Sequence, residues 1–363
     1  MISIVIGAGW GDEGKGNVVS HLSKKPNSIV VRFNGGHQAA HNVIKDGVSH
    51  IFQSFGSGTL NGCPTYISKY CTVHLARMAK EYEVLLSKKV KPKLYIDALA
   101  KITTPMDVAY NRVVETIKRH GSVGVGVGAT LKRNNETPYK LYMCDLWNLP
   151  HYRRRYEAIK NYYLSLPIIS QNNRMYEEFL VSEESSFVVR HDIFEIVEND
   201  SLLSDYENVI YEGAQGILLD MDHGIFPNVT YGNTTSKNAW EIIGNSFVDK
   251  EVYYVSRCYQ TRHGNGWMSD ERNLVLENCR ETNVKSDWQG PFRVGNLDYG
   301  LVSHSIRTDK LYHQFNTNNH VVFTCCDQIN FTLQRDRLPS FIDDIYMVSS
   351  PDFSKFVKTN RHD

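Results

Sequence analysis

Short apolar runs closed by polar turns alternate with amphipathic stretches along this chain. The first run, Ile2–Ile6, is broken only by Ser3 and ends in GAGWGDEGKG at 7–16, after which an amphipathic stretch continues to about Lys25. The pattern reads as strand, glycine-rich turn, helix. A second run, SIVVRF at 28–33, leads straight into the polar turn NGGHQAAH at 34–41. Helical spacing predicts helices over 73–88, 104–119, 151–164 and 173–184, and β-branched runs predict strands over 93–96, 208–212, 252–256 and 320–324. The expected fold class is therefore α/β: a mostly parallel, twisted sheet with helices on both faces, a P-loop-like first turn and extra subdomain insertions, in one domain over 1–363. Segment 121–128, GSVGVGVG, reads as a glycine loop that permits close backbone approach or serves as a lid.

Composition narrows the partners. Forty Lys and Arg balance forty Asp and Glu, so no charge excess tracks a phosphate backbone and no nucleic-acid partner is expected. With 41% hydrophobic residues the chain can fill a core, yet no apolar run approaches the roughly 18 residues of a membrane-spanning helix. No basic region precedes the first apolar run, so a signal peptide is not expected. Seven scattered cysteines with no C-x-x-C pair suggest reduced thiols and a cytoplasmic setting.

Gly9-x4-Gly14-Lys15 has the spacing of a phosphate loop and sits where one must, after a strand and opening a helix. Main-chain N–H groups of Gly11, Glu13, Gly14 and Gly16 would cradle phosphate, with Lys15 countering its charge. The hydroxyl that usually holds Mg²⁺ is absent, because Gly16 follows the lysine; Asp12 is the candidate replacement. The alternative is a glycine turn that binds nothing. His37 and His41 are spaced like a zinc-hydrolase pair, but Gln38 stands where the general base would be and Gly35–Gly36 puts His37 in a turn. A histidine pair in the core or in solvent is the plain reading. The functional one makes His37 a neutral donor or acid facing the same place as Asp12, at the carboxyl ends of adjacent strands.

Three segments together, GWGDEGKG (9–16), NGGHQAAH (34–41) and EGAQGILLDMDHGIFPNVTYGNTT (212–235), resemble the adenylosuccinate synthetase family. The resemblance implies a ligase that joins L-aspartate to carbon 6 of a purine nucleoside monophosphate with a nucleoside triphosphate and Mg²⁺. By position, Asp12 resembles the catalytic base and metal ligand, Lys15 the triphosphate lysine, His37 the acid at the purine 6-oxygen, and Gly36 a carbonyl ligand of the metal. Asn34, Gln215 and Thr230 resemble monophosphate contacts, and the turn Arg262–Gly264 a ribose contact. The family also implies a homodimer whose partner donates an arginine, for which Arg133 is the candidate here.

Three departures set this chain apart. The threonine-rich loop that grips the monophosphate is here Ser122–Val123–Gly124–Val125. The arginine cluster that clamps aspartate is reduced in QGPFRVGNLD (289–298) to Arg293. The guanine-reading T-K-x-D becomes Thr324–Cys325–Cys326–Asp327, which removes the lysine that covers the base and points to ATP or dATP beside GTP as donor. The nearest likeness is the viral branch that acts on dGMP in 2-aminoadenine DNA synthesis, which would place the protein in a host cytoplasm. The ordinary IMP enzyme is the alternative, favoured by Asp12, which some dGMP-using relatives replace with a smaller residue. A nucleotide-binding switch without ligase activity is the different-class alternative; it wants Ser or Thr after Lys15 and N-K-x-D, and lacks both.

Overall fold

The computed structural model describes residues 1–119, 121–187, 189–277, 288 and 290–359. Its strands are β1 (Ile2–Gly7), β2 (Ser28–Arg32), β3 (His41–Lys45), β4 (Val48–Phe52), β5 (Thr65–Ile67), β6 (Thr72–Val73), β7 (Leu94–Asp97), β8 (Lys101–Ile102), β9 (Glu195–Val197), β10 (Asn208–Gly216), β11 (Lys250–Arg257), β12 (Tyr259–His263), β13 (Phe292–Asn296), β14 (Thr317–Thr324), β15 (Asp344–Val348) and β16 (Phe356–Lys358). Among the described residues ten of them form one sheet in the order β16-β15-β14-β11-β1-β10-β2-β5-β7-β9. Every pairing in it is parallel except β15 with β16.

The helices are α1 (Lys15–Leu22), α2 (Leu75–Ser87), α3 (Pro105–Lys118), α4 (Val127–Glu136), α5 (Leu149–Ser165), α6 (Pro167–Ser170), α7 (Asn173–Glu184), α8 (Lys237–Ile243) and α9 (Tyr299–Asp309). Central strands read as near-continuous apolar runs because both faces are covered. Ile4 and Ile6 of β1 pack with Trp240 of α8 and with Val302 and Ile306 of α9. Val5, one residue out of phase, packs with Val18, Val19 and Leu22 of α1 on the other face. Between β8 and β9 the chain builds a helical insertion whose core joins Met106, Val113, Tyr163, Tyr176 and Leu180.

The expected helices and strands all form, with ends moved by a few residues. Helix α3 shows why its start was legible: Thr104 caps the N–H of Asp107, Asp107 returns a bond to the N–H of Thr104, and Pro105 takes the first turn. Four helices were not anticipated, among them the single turn α6 between α5 and α7. The glycine loop ends at Gly126, whose φ of 85° makes it the cap of α4, so 127–128 is helix rather than loop. Helix α8 is only seven residues long, and α9 relies on Asp298 accepting the N–H of Leu301 at 3.1 Å. No helix among the described residues is long and apolar enough to cross a membrane.

Candidate functional site

The carboxyl ends of β1, β10, β11 and β14 open into a cleft of about 890 Å³, the place where parallel α/β sheets bind ligands. The cleft is near the upper end of ordinary ligand pockets, room enough for more than one small molecule. Its floor is the turn between β1 and α1. Glu13 organises that turn from within: its carboxylate accepts the N–H groups of Gly9 at 3.1 Å and Gly11 at 2.8 Å, and it pairs with Lys15 Nζ at 2.5 Å. Glu13 and Lys15 are both buried, and a Cβ on Gly7 would lie 2.3 Å from the Glu13 carboxylate, so glycine is required there. Thr324 Oγ1 donates to the Glu13 carbonyl at 2.7 Å, tying the end of β14 to the turn.

Asp12 stands on the lip of this turn at φ 63°. Arg257 Nε donates to its carbonyl at 2.6 Å, and His263 Nδ1 lies 3.5 Å from its carboxylate. Burial raises the Asp12 carboxyl above the ordinary value against the lowering pull of Arg257 and His263. Gln215, Cys325 and Phe353 also line the cleft at φ near 60°, and such left-handed non-glycine residues gather at functional sites. Arg262 is buried and holds the carbonyls of Asn265, Trp267 and Asn228, with its guanidinium 5.1 Å from the Trp10 ring centroid. Burial, then repulsion from Arg293, lowers its pKa to about 10.

The cleft brings together Gly11, Asp12, Glu13, Gly14, Lys15, Gly16, Ser122, Val123, Gln215, Thr230, Arg262 and Asp327, as expected. Five other expected residues do not line it. Asn34 is a bolt between strands: its side chain takes the N–H of Ala214 at 2.7 Å and donates to Asn233 O at 3.1 Å. The Gly36 carbonyl accepts the N–H of Ala39, and a Cβ on Gly36 would strike Thr72 Oγ1 at 2.1 Å. His37 is buried behind the glycine loop with Nε2 2.9 Å from the carbonyl of Val125, itself a cleft residue. Gly264 binds Pro291 O through its N–H. Arg293 is tied to Glu271 at 2.6 Å and to Gly266 O at 2.7 Å. Gln289 of the same stretch lies outside the described residues.

Arg133 is no candidate for reaching a partner subunit. It is 2% exposed, bidentate to Asp107 at 2.8 Å, and donates to the carbonyls of Tyr139 and Ile102. Motif reading also missed Arg257, Lys118 and Lys132, which line the cleft outside the quoted motifs; His263, within the turn Arg262–Gly264, lines it too. The basic run that begins at Lys118, the last residue of α3, was the available signal for that lysine.

The chain matches the adenylosuccinate synthetase family over residues 4–335. Adenylosuccinate synthetases of Mesoplasma florum and Blochmanniella pennsylvanica are 28% and 30% identical to it, over 86% and 85% of this chain and 76% and 74% of theirs. A fully ligated adenylosuccinate synthetase from Plasmodium falciparum has the same fold, with a TM-score of 0.71 at 17% identity over 99% of both chains. So has the cyanophage S-2L succinoaminodeoxyadenylate synthetase bound to dGMP and dATP, with a TM-score of 0.68 at 15% identity over 99% of this chain and 95% of that one. A phosphate-loop turn at the carboxyl edge of this sheet, inside a match that runs over most of the sequence, has one consistent assignment: the chain belongs to the adenylosuccinate synthetase family, ligases that form a carbon–nitrogen bond at the expense of a nucleoside triphosphate.

Proposed function

We propose that this ligase joins L-aspartate to carbon 6 of dGMP through a 6-phosphoryl intermediate, giving succino-2-amino-deoxyadenylate. A 6-oxo purine is a poor electrophile because oxide leaves badly. Asp12 takes the N1 proton, the 6-oxygen then attacks the γ-phosphorus, and the nucleoside diphosphate departs. The aspartate amine adds at carbon 6 and inorganic phosphate leaves. His37 donates to the 6-oxygen, and Lys15 offsets charge on the transferring phosphoryl group. Gln215, Thr230 and the Ser122–Val123 segment hold the monophosphate nucleotide, and Asp327 faces the base of the donor.

The family works with Mg²⁺, and one carboxylate plus substrate phosphates is a sufficient protein contribution for that ion. Asp12, facing the cleft, fits it; Gly36, whose carbonyl is engaged by Ala39 away from the cleft lining, does not. Among the described residues no cluster of three or more His, Cys, Asp or Glu side chains forms a fuller cage. Bound beside Asp12, the ion would neutralise charge on the triphosphate.

The observation that supports dGMP is the surroundings of the turn at Gly264. Gly264 is hydrogen-bonded to Pro291, and a Cβ on Gly290 would be 3.5 Å from the Gly264 Cα. Glycine and proline therefore flank the ribose-contacting turn, and neither offers a side-chain donor for a 2′-hydroxyl. A site built to bond that hydroxyl would reject deoxyribose, because buried partners would be left unpaired. The cyanophage neighbour binds dGMP and dATP, so this fold admits that pair. IMP is the second reading, favoured by the carboxylate at Asp12, which a 2-amino group crowds.

The test is the initial rate with IMP, GMP, dIMP and dGMP at equal concentration, each with aspartate and GTP, ATP or dATP. The expected outcome is dGMP fastest, with ATP or dATP accepted because Cys325 is too short to cover a purine. IMP ahead by tenfold, about 1.4 kcal/mol, would make this an ordinary adenylosuccinate synthetase. GTP favoured by more than about a hundredfold, near 2.7 kcal/mol, would overturn the donor assignment.

A further inference from the structure

Behind His37, on the side away from the cleft, a chain of polar groups runs into the helical insertion. His37 Nε2 is 2.9 Å from the Val125 carbonyl, and a carbonyl only accepts, so Nε2 carries the proton. The His37 ring meets His74 edge to face, with centroids 4.9 Å apart. His74 caps α2, and its Nδ1 accepts the main-chain N–H of Arg77 at 3.3 Å. A main-chain N–H only donates, so His74 Nδ1 is bare and its proton sits on Nε2. That Nε2 faces the Glu183 carboxylate of α7 at 3.6 Å. Glu183 in turn binds Arg112 Nη2 of α3 at 2.7 Å and lies 3.7 Å from Arg77. Arg112 Nε donates to the carbonyl of Gly124 at 3.2 Å, one residue before the carbonyl that His37 holds. Trp288, 5.7 Å from the Arg112 guanidinium, packs on the same Gly124.

The contacts form a closed circuit: His37, His74, Glu183, Arg112, the glycine loop, and back to His37. None of His74, Arg112 and Glu183 belongs to the motifs that carry the family resemblance. We propose that His74 and Glu183 are positioning residues for His37, fixing the plane of its imidazole so that the Nε2–H set by the Val125 carbonyl stays aimed toward the glycine loop and the cleft beyond it. The inference rests on the reading of His37 as donor to the purine 6-oxygen. Val125 O and that oxygen are acceptors of the same kind, so exchanging one for the other requires no change of tautomer. A ring free to turn would present bare Nδ1, which cannot donate; a partner that fixes the ring removes that failure.

The experiment separates the circuit from the helix cap. His74→Asn keeps a side-chain oxygen for the Arg77 N–H and hence the cap, but removes the ring. Glu183→Gln keeps the volume and removes the charge, and Glu183→Asp restores the charge on a shorter stem. The expected outcome is a kcat at least tenfold lower in His74→Asn and Glu183→Gln, KM for the triphosphate within twofold, and partial recovery in Glu183→Asp. His37→Ala is measured beside them. If His37→Ala is inactive while His74→Asn and Glu183→Gln turn over like the parent, the inference falls and the role of His37 stands. If His37→Ala is active, the reading beneath it falls. Because a buried charge is removed in Glu183→Gln, the unaltered protein gives an independent readout by long-range ¹H–¹⁵N correlation of its histidines. Both His37 and His74 are expected as neutral Nε2–H rings; an Nδ1–H tautomer or an imidazolium at His74 would overturn the proposal.

Discussion

Asp12 and His37 divide the acid–base work by the way each is buried. The Asp12 carboxyl, raised by burial, is a better base than an exposed aspartate, yet Arg257 and His263 still favour its ionised form. Burial lowers His37 well below the usual imidazole value, and the charge of the neighbouring Arg77 acts in the same direction. His37 is therefore neutral at pH 7 and donates as an uncharged ring. Replacing either residue by alanine should lower turnover by at least about a hundredfold, the usual size of one acid–base contribution, with the circular dichroism spectrum unchanged. Near-normal turnover in either variant would remove the mechanism.

At the scale of elements, the glycine loop before α4 is both cleft wall and brace. Ser122 Oγ accepts from Asn111 Nδ2 at 3.1 Å, Gly126 donates its N–H to Asn111 Oδ1 at 3.1 Å, and Arg112 holds Gly124. Gly124 combines φ of 72° with no room, since a Cβ would meet Trp288 at 2.7 Å. Gly47 has the same handedness at φ 77° in the Asp46–Gly47 hairpin turn of β3 and β4, with nothing within 4 Å. The pair separates backbone strain from packing. Gly47→Ala should cost about 1 kcal/mol in chemical denaturation and leave kinetics alone. Gly124→Ala should cost more and raise KM for the purine monophosphate about tenfold or further. Identical kinetics in the two variants would show that the loop does not shape the acceptor site.

For the whole molecule, Glu183 links the insertion to the sheet domain, and its ionisation bears on acid stability. Burial pushes its carboxyl up, but the nearby His74 ring and the charges of Arg112 and Arg77 outweigh that and lower it to about 2, from an ordinary value of 4.5. A depressed carboxyl stabilises the fold fully above the unfolded value. That contribution, on the order of 2 kcal/mol after solvent screening, is lost as pH falls from about 4.5 toward 2. The gap in unfolding free energy between the parent and Glu183→Gln should be constant above about pH 5.5 and shrink below 4.5. Denaturant midpoints measured from pH 3 to 7 check this, and a gap independent of pH would contradict it.

Local chemistry made the core of the fold legible. The run Ile2–Ile6 is apolar on both faces because β1 is central, so strand, turn and helix follow from residues adjacent in sequence. The capping box at Thr104 is likewise contained in four residues. The phosphate-loop residues reach one cleft because the right-handed βα connection leaves no other place for them. What tertiary structure alone decided is which motif residues face the ligand. Asn34 and Arg293 are ordinary polar candidates in a string of letters, yet each is taken by partners far along the chain, Ala214 and Asn233 for one and Glu271 for the other. Arg133 is consumed by Asp107, 26 positions away. His37 is aimed by groups from three separate helices, α2, α3 and α7, brought together only when the insertion folds onto β6 and β8. A buried polar group must find its partner in space, and separations of tens to hundreds of residues leave no local trace in the sequence.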